Sequence, residues 1–151
     1  MEGKDFSVWD LEKHQTKDIT DSHINGDLTV IWRDWDNIIK DQLKMIYVTS
    51  VNPGEIKGPH LHTKRNSYFV CIHGEVIFVI QKKSGEYEEI RTNADRPVLI
   101  VIPKNVPAAH INVNDGVSRV LTLADLSWKP NNDEMKNISF NDYDWDKWKK
   151  N

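Results

Sequence analysis

The sequence predicts an all-β fold, a barrel or jelly roll of two packed antiparallel sheets with little helix. Short runs rich in Val, Ile and Leu recur between positions 43 and 126, and turn residues or prolines punctuate them. Strands at intervals of about 8–12 residues are typical of sandwiches and barrels rather than of βαβ units. The length of 151 residues suits one domain with a core of its own.

Six segments of the central zone are predicted strands. Each combines β-branched or aromatic residues with a flanking turn signal, such as Asn52-Pro53-Gly54 after the first and Gly74 between the second and third. The predicted strands cover 43–51, 67–73, 75–81, 87–92, 97–103 and 118–126.

The outer zones, 1–42 and 127–151, are polar and charged, with tryptophans set among Asp and Lys. They are too poor in aliphatic residues to fold alone. We therefore expect one domain over 1–151, with a core at about 43–126 and both extensions packed on the barrel. The spacing of Trp35, Ile38 and Leu43 is close to helical and predicts one short helix over 35–44.

Composition and charge exclude several classes of protein. Lys and Arg total 20 against 23 Asp and Glu, so a net charge of −3 gives no basic field for nucleic acid or an anionic membrane. No apolar run approaches the ~20 residues that span a bilayer, and the N-terminus lacks a signal-peptide pattern. Cys71 is alone, which excludes an internal disulfide and a cysteine-based zinc cluster. We expect a cytoplasmic protein with no nucleic-acid or membrane partner.

Four of the six histidines lie between positions 60 and 110, and His60 and His62 are two residues apart. On a strand this spacing places both imidazoles on the same face. Paired imidazoles in a concave site suit proton transfer at neutral pH or metal binding. Two histidines with a purely structural role would give the same spacing. The surrounding residues must therefore distinguish a functional pair from a structural one.

Those surrounding residues resemble the first cupin motif, G-x5-H-x-H-x3–4-E-x6-G. Gly54, His60, His62 and Gly74 fit its frame, while Ser67 stands where cupins usually carry a glutamate ligand. The sequence therefore has the glycines and histidines of the motif at the expected spacing, but it lacks one of the metal ligands.

The segment "IPKNVPAAHINVND" resembles the second cupin motif, with Ala108 in the histidine place and His110 two residues later. Alternation puts both positions on one face, so we expect His110 to reach the same cavity at a different depth. With both ligand positions altered, we expect no tightly held metal and no cofactor.

The wider pattern is similar to the dTDP-sugar isomerase family, which includes dTDP-4-dehydrorhamnose 3,5-epimerase-like and sugar 3,4-ketoisomerase-like proteins. The similar segments are "KGPHLH", "YFVCIHGEVIFVI" and "DLSWKPNNDE", and the resemblance spans roughly 43–135. It implies a cupin barrel that abstracts a proton next to the keto group of a 4-keto-6-deoxy nucleotide sugar. Trp128 replaces the tyrosine acid of the epimerases, and Ser67 replaces their lysine. The double-epimerase mechanism is therefore not supported, and a single-face isomerisation by two histidines stays open.

The resemblance also implies roles for individual residues. His60 would abstract the proton, and His62 would carry it onward or orient His60. The candidates for stabilising the enolate are Lys57 and Asn66. Lys64 and Arg65 would bind the diphosphate, and the further substrate contacts would be His110 and Trp128.

Two other functions fit the same residues. One is a sugar-binding cupin without chemistry, and the other is a metal-dependent cupin enzyme that uses His60, His62 and His110. We also expect a homodimer, because small cupins of this family pair edge strands and the aromatic-rich ends offer apolar surface.

Overall fold

The protein is described by a computed structural model that covers residues 5–149. Its strands are β1 Ser7–Asp10, β2 Lys13–Lys17, β3 Ile24–Thr29, β4 Met45–Val51, β5 Ile56–His62, β6 Ser67–His73, β7 Glu75–Gln81, β8 Tyr87–Asn93, β9 Val98–Ile102, β10 Ala108–Asn112, β11 Ser118–Ala124 and β12 Met135–Asn137. A short 3₁₀ helix covers Trp145–Trp148.

The strands form two five-stranded antiparallel sheets and a hairpin. The first sheet has the order β1-β9-β6-β11-β4, and the second has the order β12-β5-β10-β7-β8. Strands β2 and β3 form a separate two-stranded sheet. The predicted all-β fold of two antiparallel sheets is confirmed.

All six predicted central strands are present, with ends that differ by no more than two residues. Strands β1, β2, β3 and β12 lie in the polar outer zones, where the aliphatic pattern gave no strand signal. Strand β1 is held by pairing with β9 at the edge of the first sheet, from Ser7 opposite Val101 to Asp10 opposite Val98. This pairing joins residues about 90 positions apart, which local sequence does not encode.

The predicted helix over 35–44 is wrong. The chain turns there instead, and the N–H of Asp36 donates to the carbonyl of Arg33 at 3.1 Å. The Arg33 guanidinium also donates to the Asp36 carboxylate. Ile39 is buried against the outer face of the first sheet beside Leu99. The apolar spacing therefore reflects packing on a sheet, which overrides the local helical pattern.

The central core lies between the two sheets. Its buried side chains alternate along the strands, as in Val76, Phe78 and Ile80 of β7. The other face of β7 carries Ile77 and Val79, which are covered by the C-terminal segment, including Phe140, Tyr143, Trp145 and Trp148. Within the described residues, no helix is long and apolar enough to cross a membrane.

Candidate active site

A cavity of about 230 Å³ lies between the two sheets at one end of the core. The second sheet contributes the histidines of β5 and β10, and the first sheet contributes polar and aromatic side chains from β4 and β6. The lining residues that matter chemically are Tyr47, Lys57, His60, His62, Arg65, Ser67 and His110. The rest of the wall is largely apolar and includes Phe69, Phe78, Ile102 and Val106.

Strand β5 presents both histidines of the His-x-His pair to this cavity. The ring centroids of His60 and His62 lie 5.4 Å apart, with the rings nearly perpendicular. Their common face follows from the two-residue period of a strand. The sequence-based expectation of two imidazoles on one face therefore matches the geometry.

Gly58 allows β5 to approach β10 closely beside these histidines. Its φ is +90°, and a Cβ at this position would lie 2.9 Å from the carbonyl oxygen of Ala108 and 3.2 Å from Nδ1 of His60. The register shifts at the same point, since Ala108 pairs with His60 and His110 pairs with Lys57. A side chain at 58 would displace the backbone that positions the imidazole.

Glu134 holds His62 from outside the cavity. The distance from Nδ1 of His62 to Oε1 of Glu134 is 2.6 Å, and both side chains are almost fully buried. Strand β12 fixes the carboxylate because Met135 pairs with His62, and the N–H of Thr63 donates to the carbonyl of Glu134 at 2.7 Å. A carboxylate only accepts, so Nδ1 of His62 carries the shared proton and Nε2 is left as a bare acceptor.

The pKa values of the three cavity histidines are lowered. Burial, then the neighbouring His62 and Arg65, lower the pKa of His60 to about 4. Burial, then His60 and Lys57, lower the pKa of His110 to about 3. For His62, burial lowers the pKa, and the hydrogen bond to Glu134 opposes that effect. The cavity therefore holds neutral imidazoles at neutral pH, and Glu134 favours the protonated form of one of them.

Arg65 places a guanidinium in the lining of the same cavity. It is 6% exposed; its Nε donates to Oγ of Ser67 at 3.0 Å, and one Nη donates to the Tyr47 hydroxyl at 2.7 Å. Both acceptors are neutral. Because the first sheet supplies both, the guanidinium is held opposite the wall that carries the histidines.

The structure brings most of the sequence-predicted site residues together and leaves three outside. The cavity lining includes Lys57, His60, His62, Arg65 and His110. Lys64 is exposed beyond the end of β5. Asn66 is hydrogen-bonded to Asp125, because its backbone N–H and its side-chain Nδ2 both donate to the Asp125 carboxylate at 2.8 Å. Trp128 is 70% exposed and does not line the cavity.

Two residues of the site were not singled out by sequence reasoning. Tyr47 lies on β4, and its inward orientation follows from the alternation of exposed Ile46 and Val48 around it. Glu134 ends the segment "DLSWKPNNDE", which the family resemblance had already marked. No spacing rule connects a glutamate at 134 with a histidine at 62, so only the strand pairing reveals the contact.

The histidines do not converge on one point. In the part of the chain that the structure describes, the one set of three candidate ligand atoms lying within 4.8 Å of one another belongs to Asp18, Asp21 and His23 on the surface hairpin. The cavity histidines therefore lack the mutual distances of a ready metal site. The expectation of a metal-free cavity stays a prediction.

Comparison with known proteins identifies a family that matches this chain and a relative that matches part of it. The family model described as "FdtA: WxcM-like, C-terminal" matches residues 7–144. The spore coat polysaccharide biosynthesis protein SpsL of Bacillus subtilis (strain 168) is 26% identical over 96 residues, which cover 60% of this chain. The match spans 64% of the length of that relative.

Solved structures share the architecture at low identity. A dTDP sugar isomerase from Desulfovibrio desulfuricans matches with a TM-score of 0.80 and 15% identity, covering 94% of this chain and 91% of the other. The sugar 3,4-ketoisomerase QdtA from Thermoanaerobacterium thermosaccharolyticum, solved in complex with TDP, matches with a TM-score of 0.70 and 22% identity over 88% of each chain.

The resemblance to the dTDP-sugar isomerase cupins, which the histidine segment and its flanks indicate, is thus confirmed at the level of family and fold. Because the family model matches nearly the whole described chain, the protein belongs to the WxcM-like, C-terminal family, FdtA.

Proposed function

We propose that the protein isomerises or epimerises a nucleotide-linked 4-keto-6-deoxy sugar by removing a proton next to the keto group. Membership of the FdtA family supports this proposal, as do structural neighbours that include a dTDP sugar isomerase and a sugar 3,4-ketoisomerase. The observation that carries it is the buried His62–Glu134 pair in a cavity lined by neutral imidazoles.

His62 is the better placed of the two histidines to take the proton. Its Nε2 is buried and has no partner among residues 5–149, while Nδ1 donates to Glu134. When Nε2 takes a proton, the imidazolium that forms lies beside a carboxylate, which stabilises it. The sequence alone favoured His60 as the base. The Glu134 contact supports giving that role to His62, with His60 as the group that relays the proton.

The chemistry balances without an oxidant or a reductant. The C–H bond at C3 breaks and its proton moves to His62. The electron pair of that bond forms the new C3=C4 double bond, and the π pair of the carbonyl moves to the C4 oxygen. Delivery of a different proton to C3 on the opposite face, from a solvent water molecule, inverts that carbon, and His62 then releases its own proton to solvent. Return of the His62 proton to C4 instead, with transfer of the hydroxyl proton from O3 to O4, moves the keto group to C3.

The positions of the cations suggest how the nucleotide is held. Lys57 lies at the cavity wall, and Lys64 is exposed beyond the end of β5. Both side chains are flexible donors suited to a diphosphate that leaves the cavity toward solvent. The cavity is smaller than the roughly 300–1,000 Å³ of pockets for drug-sized ligands. We therefore place the sugar ring inside and the nucleotide outside.

The test is exchange of solvent deuterium into a panel of dTDP-, GDP-, UDP- and CDP-linked 4-keto-6-deoxy sugars, followed by NMR. We expect deuterium at the carbon next to the keto group for at least one nucleotide, and a product whose stereochemistry or keto position identifies the reaction. Binding of a sugar nucleotide without any exchange would contradict the proposal and favour a binding module without chemistry.

We also propose that the protein forms a homodimer through β4. This strand is an edge of the first sheet, and its outward side chains Ile46 and Val48 are 62% and 50% exposed. An exposed apolar edge strand pairs readily with another strand. Pairing of β4 with the same strand of a second copy would cover both side chains by two-fold symmetry.

We place the reaction in the cytoplasm as part of the same proposal. Cys71 is a free, buried thiol, which is compatible with a reducing compartment. Cell fractionation followed by immunoblotting tests this, and recovery outside the cytoplasmic fraction would contradict it.

A further inference from the structure

Arg65 is a buried cation without a buried counter-ion. Among residues 5–149, no carboxylate oxygen lies within 4.0 Å of its guanidinium. A guanidinium carries five N–H donors, and the described protein groups accept from Nε and one Nη only. The buried carboxylate of Glu134 contacts Nδ1 of His62 through Oε1, and its Oε2 has no hydrogen-bond partner among the described residues.

This arrangement is unfavourable for the free protein. Arginine stays protonated inside proteins, so burial leaves a charge that neutral hydroxyls of Tyr47 and Ser67 compensate only in part. Such a group is stabilised when an anion enters the cavity and accepts from the remaining N–H donors. The cavity lining at Arg65 therefore has the properties of a built anion subsite.

The subsite lies beside the proposed proton-transfer groups. Arg65 follows His62 by three residues, and its charge contributes to lowering the pKa of both His60 and His62. It is 6% exposed, whereas its neighbour Lys64 is on the surface. Arg65 therefore lines the cavity in which the proposed function places the sugar ring, whereas Lys64 lies on the solvent side, where it places the nucleotide.

We propose that Arg65 is the oxyanion-binding residue of the cavity, and that it holds the negatively charged oxygen formed when the sugar loses its proton. This inference rests on the proposed function, and it differs from the diphosphate role that sequence alone assigned to Arg65. Tyr47 and Ser67 act as positioning residues, because they hold the guanidinium in one orientation. A fixed cation aimed at a developing oxyanion acts on the transition state more than on substrate binding.

The kinetic test compares Arg65→Met and Arg65→Lys with wild type, and uses Arg96→Met as the control because Arg96 is exposed and does not line the cavity. We expect Arg65→Met to lower kcat for deuterium exchange by about 10²–10³-fold, with KM and the inhibition constant of TDP changed by no more than about twofold. Arg65→Lys keeps the charge but loses the planar arrangement of donors, so its kcat should lie between those of wild type and Arg65→Met. If Arg65→Met instead has an unchanged kcat and is inhibited by TDP tenfold more weakly than wild type, the inference is overturned. Arg65 would then be assigned to binding the diphosphate.

A second measurement separates this inference from the proposed function. Thermal unfolding without substrate is recorded in sodium formate and in sodium chloride at equal ionic strength. We expect formate to raise the Tm of wild type and Arg96→Met by about 2 °C or more and to leave Arg65→Met unchanged. In chloride, the Tm of Arg65→Met should equal or exceed that of wild type, because an unpaired buried charge is removed.

The outcomes are distinguishable. A wild type that exchanges no deuterium contradicts the proposed function, and an Arg65-dependent formate effect would then still support the anion subsite. The absence of that effect overturns the subsite. A large fall in Tm for both Arg65 variants in chloride would show that Arg65 is structural, and this also overturns the inference.

Discussion

His62 and Glu134 are 72 positions apart in the chain, and Nδ1 of the histidine lies 2.6 Å from Oε1 of the glutamate. Strand β12 makes this contact possible because it pairs with β5 and places Met135 opposite His62. The short strand therefore does more than extend the second sheet, since it brings a carboxylate to the back of an imidazole whose other nitrogen is buried without a described partner.

Replacing His62 with Asn should remove the proposed base. We expect exchange of deuterium into the keto sugar to fall by ~10²–10⁴-fold, the usual contribution of general-base catalysis. His60→Asn should cost less, because it removes the relay and leaves the base in place. Trp128→Phe should cost least, since this side chain is 70% exposed and outside the cavity. A larger defect in His60→Asn than in His62→Asn would reverse the assignment of base and relay.

Replacing Glu134 with Gln should shift the pH dependence as well as the rate. The hydrogen bond to Glu134 raises the pKa of His62 against the effect of burial, so its loss lowers that pKa further. Since the neutral imidazole is the active base, the acidic limb of kcat/KM should move to lower pH while the maximal rate falls by about tenfold or more. If the acidic limb of kcat/KM stays at the same pH and only the maximal rate falls, Glu134 orients the His62 ring without changing its pKa.

The burial of His110 predicts a pH-dependent stability. Its folded pKa of about 3 lies below the usual histidine value of about 6.5. Between these values the unfolded chain binds a proton that the folded chain does not. Stability is therefore fully present above about pH 6.5 and falls as pH drops toward 3, by about 1.4 kcal/mol per pH unit for this group.

The measurement is urea unfolding at pH 7 and pH 5 for wild type and His110→Gln. The variant removes the titrating group, so its free energy of unfolding should fall less between the two pH values. Lys57 and His60, the neighbours that add to the lowered pKa, are unchanged in both proteins. Equal falls in both proteins would show that His110 does not carry this dependence.

The exposed edge strand predicts the oligomeric state. We expect light scattering to give the mass of two chains for wild type and of one chain for the double variant Ile46→Lys with Val48→Lys, because charges on an edge strand oppose pairing. Ile19→Lys is the matched control, since this residue is 99% exposed on the turn between β2 and β3. A monomeric wild type, or a dimer that survives both charges, would contradict a β4 interface.

The sequence by itself determined six of the eight strands between positions 43 and 126, and it determined the common face of His60 and His62. Both depend on local patterns, namely turn residues at strand ends and a two-residue alternation, which hold wherever the strand lies. The same local reasoning failed over 35–44. The apolar residues there have a spacing typical of a helix, but the segment forms turns whose apolar side chains pack on the first sheet. Local reasoning also gave no signal for β1, whose pairing with β9 depends on a distant strand.

The tertiary structure alone decided which charged groups meet in the cavity. Lys64 and Arg65 are adjacent and equally basic in sequence, yet one is in solvent and the other is buried between Tyr47 and Ser67. Glu134 reaches His62 only because β12 joins the second sheet beside β5. The physical reason is that burial and hydrogen bonding at this site are set by the order of strands in the two sheets, which joins segments far apart in the chain.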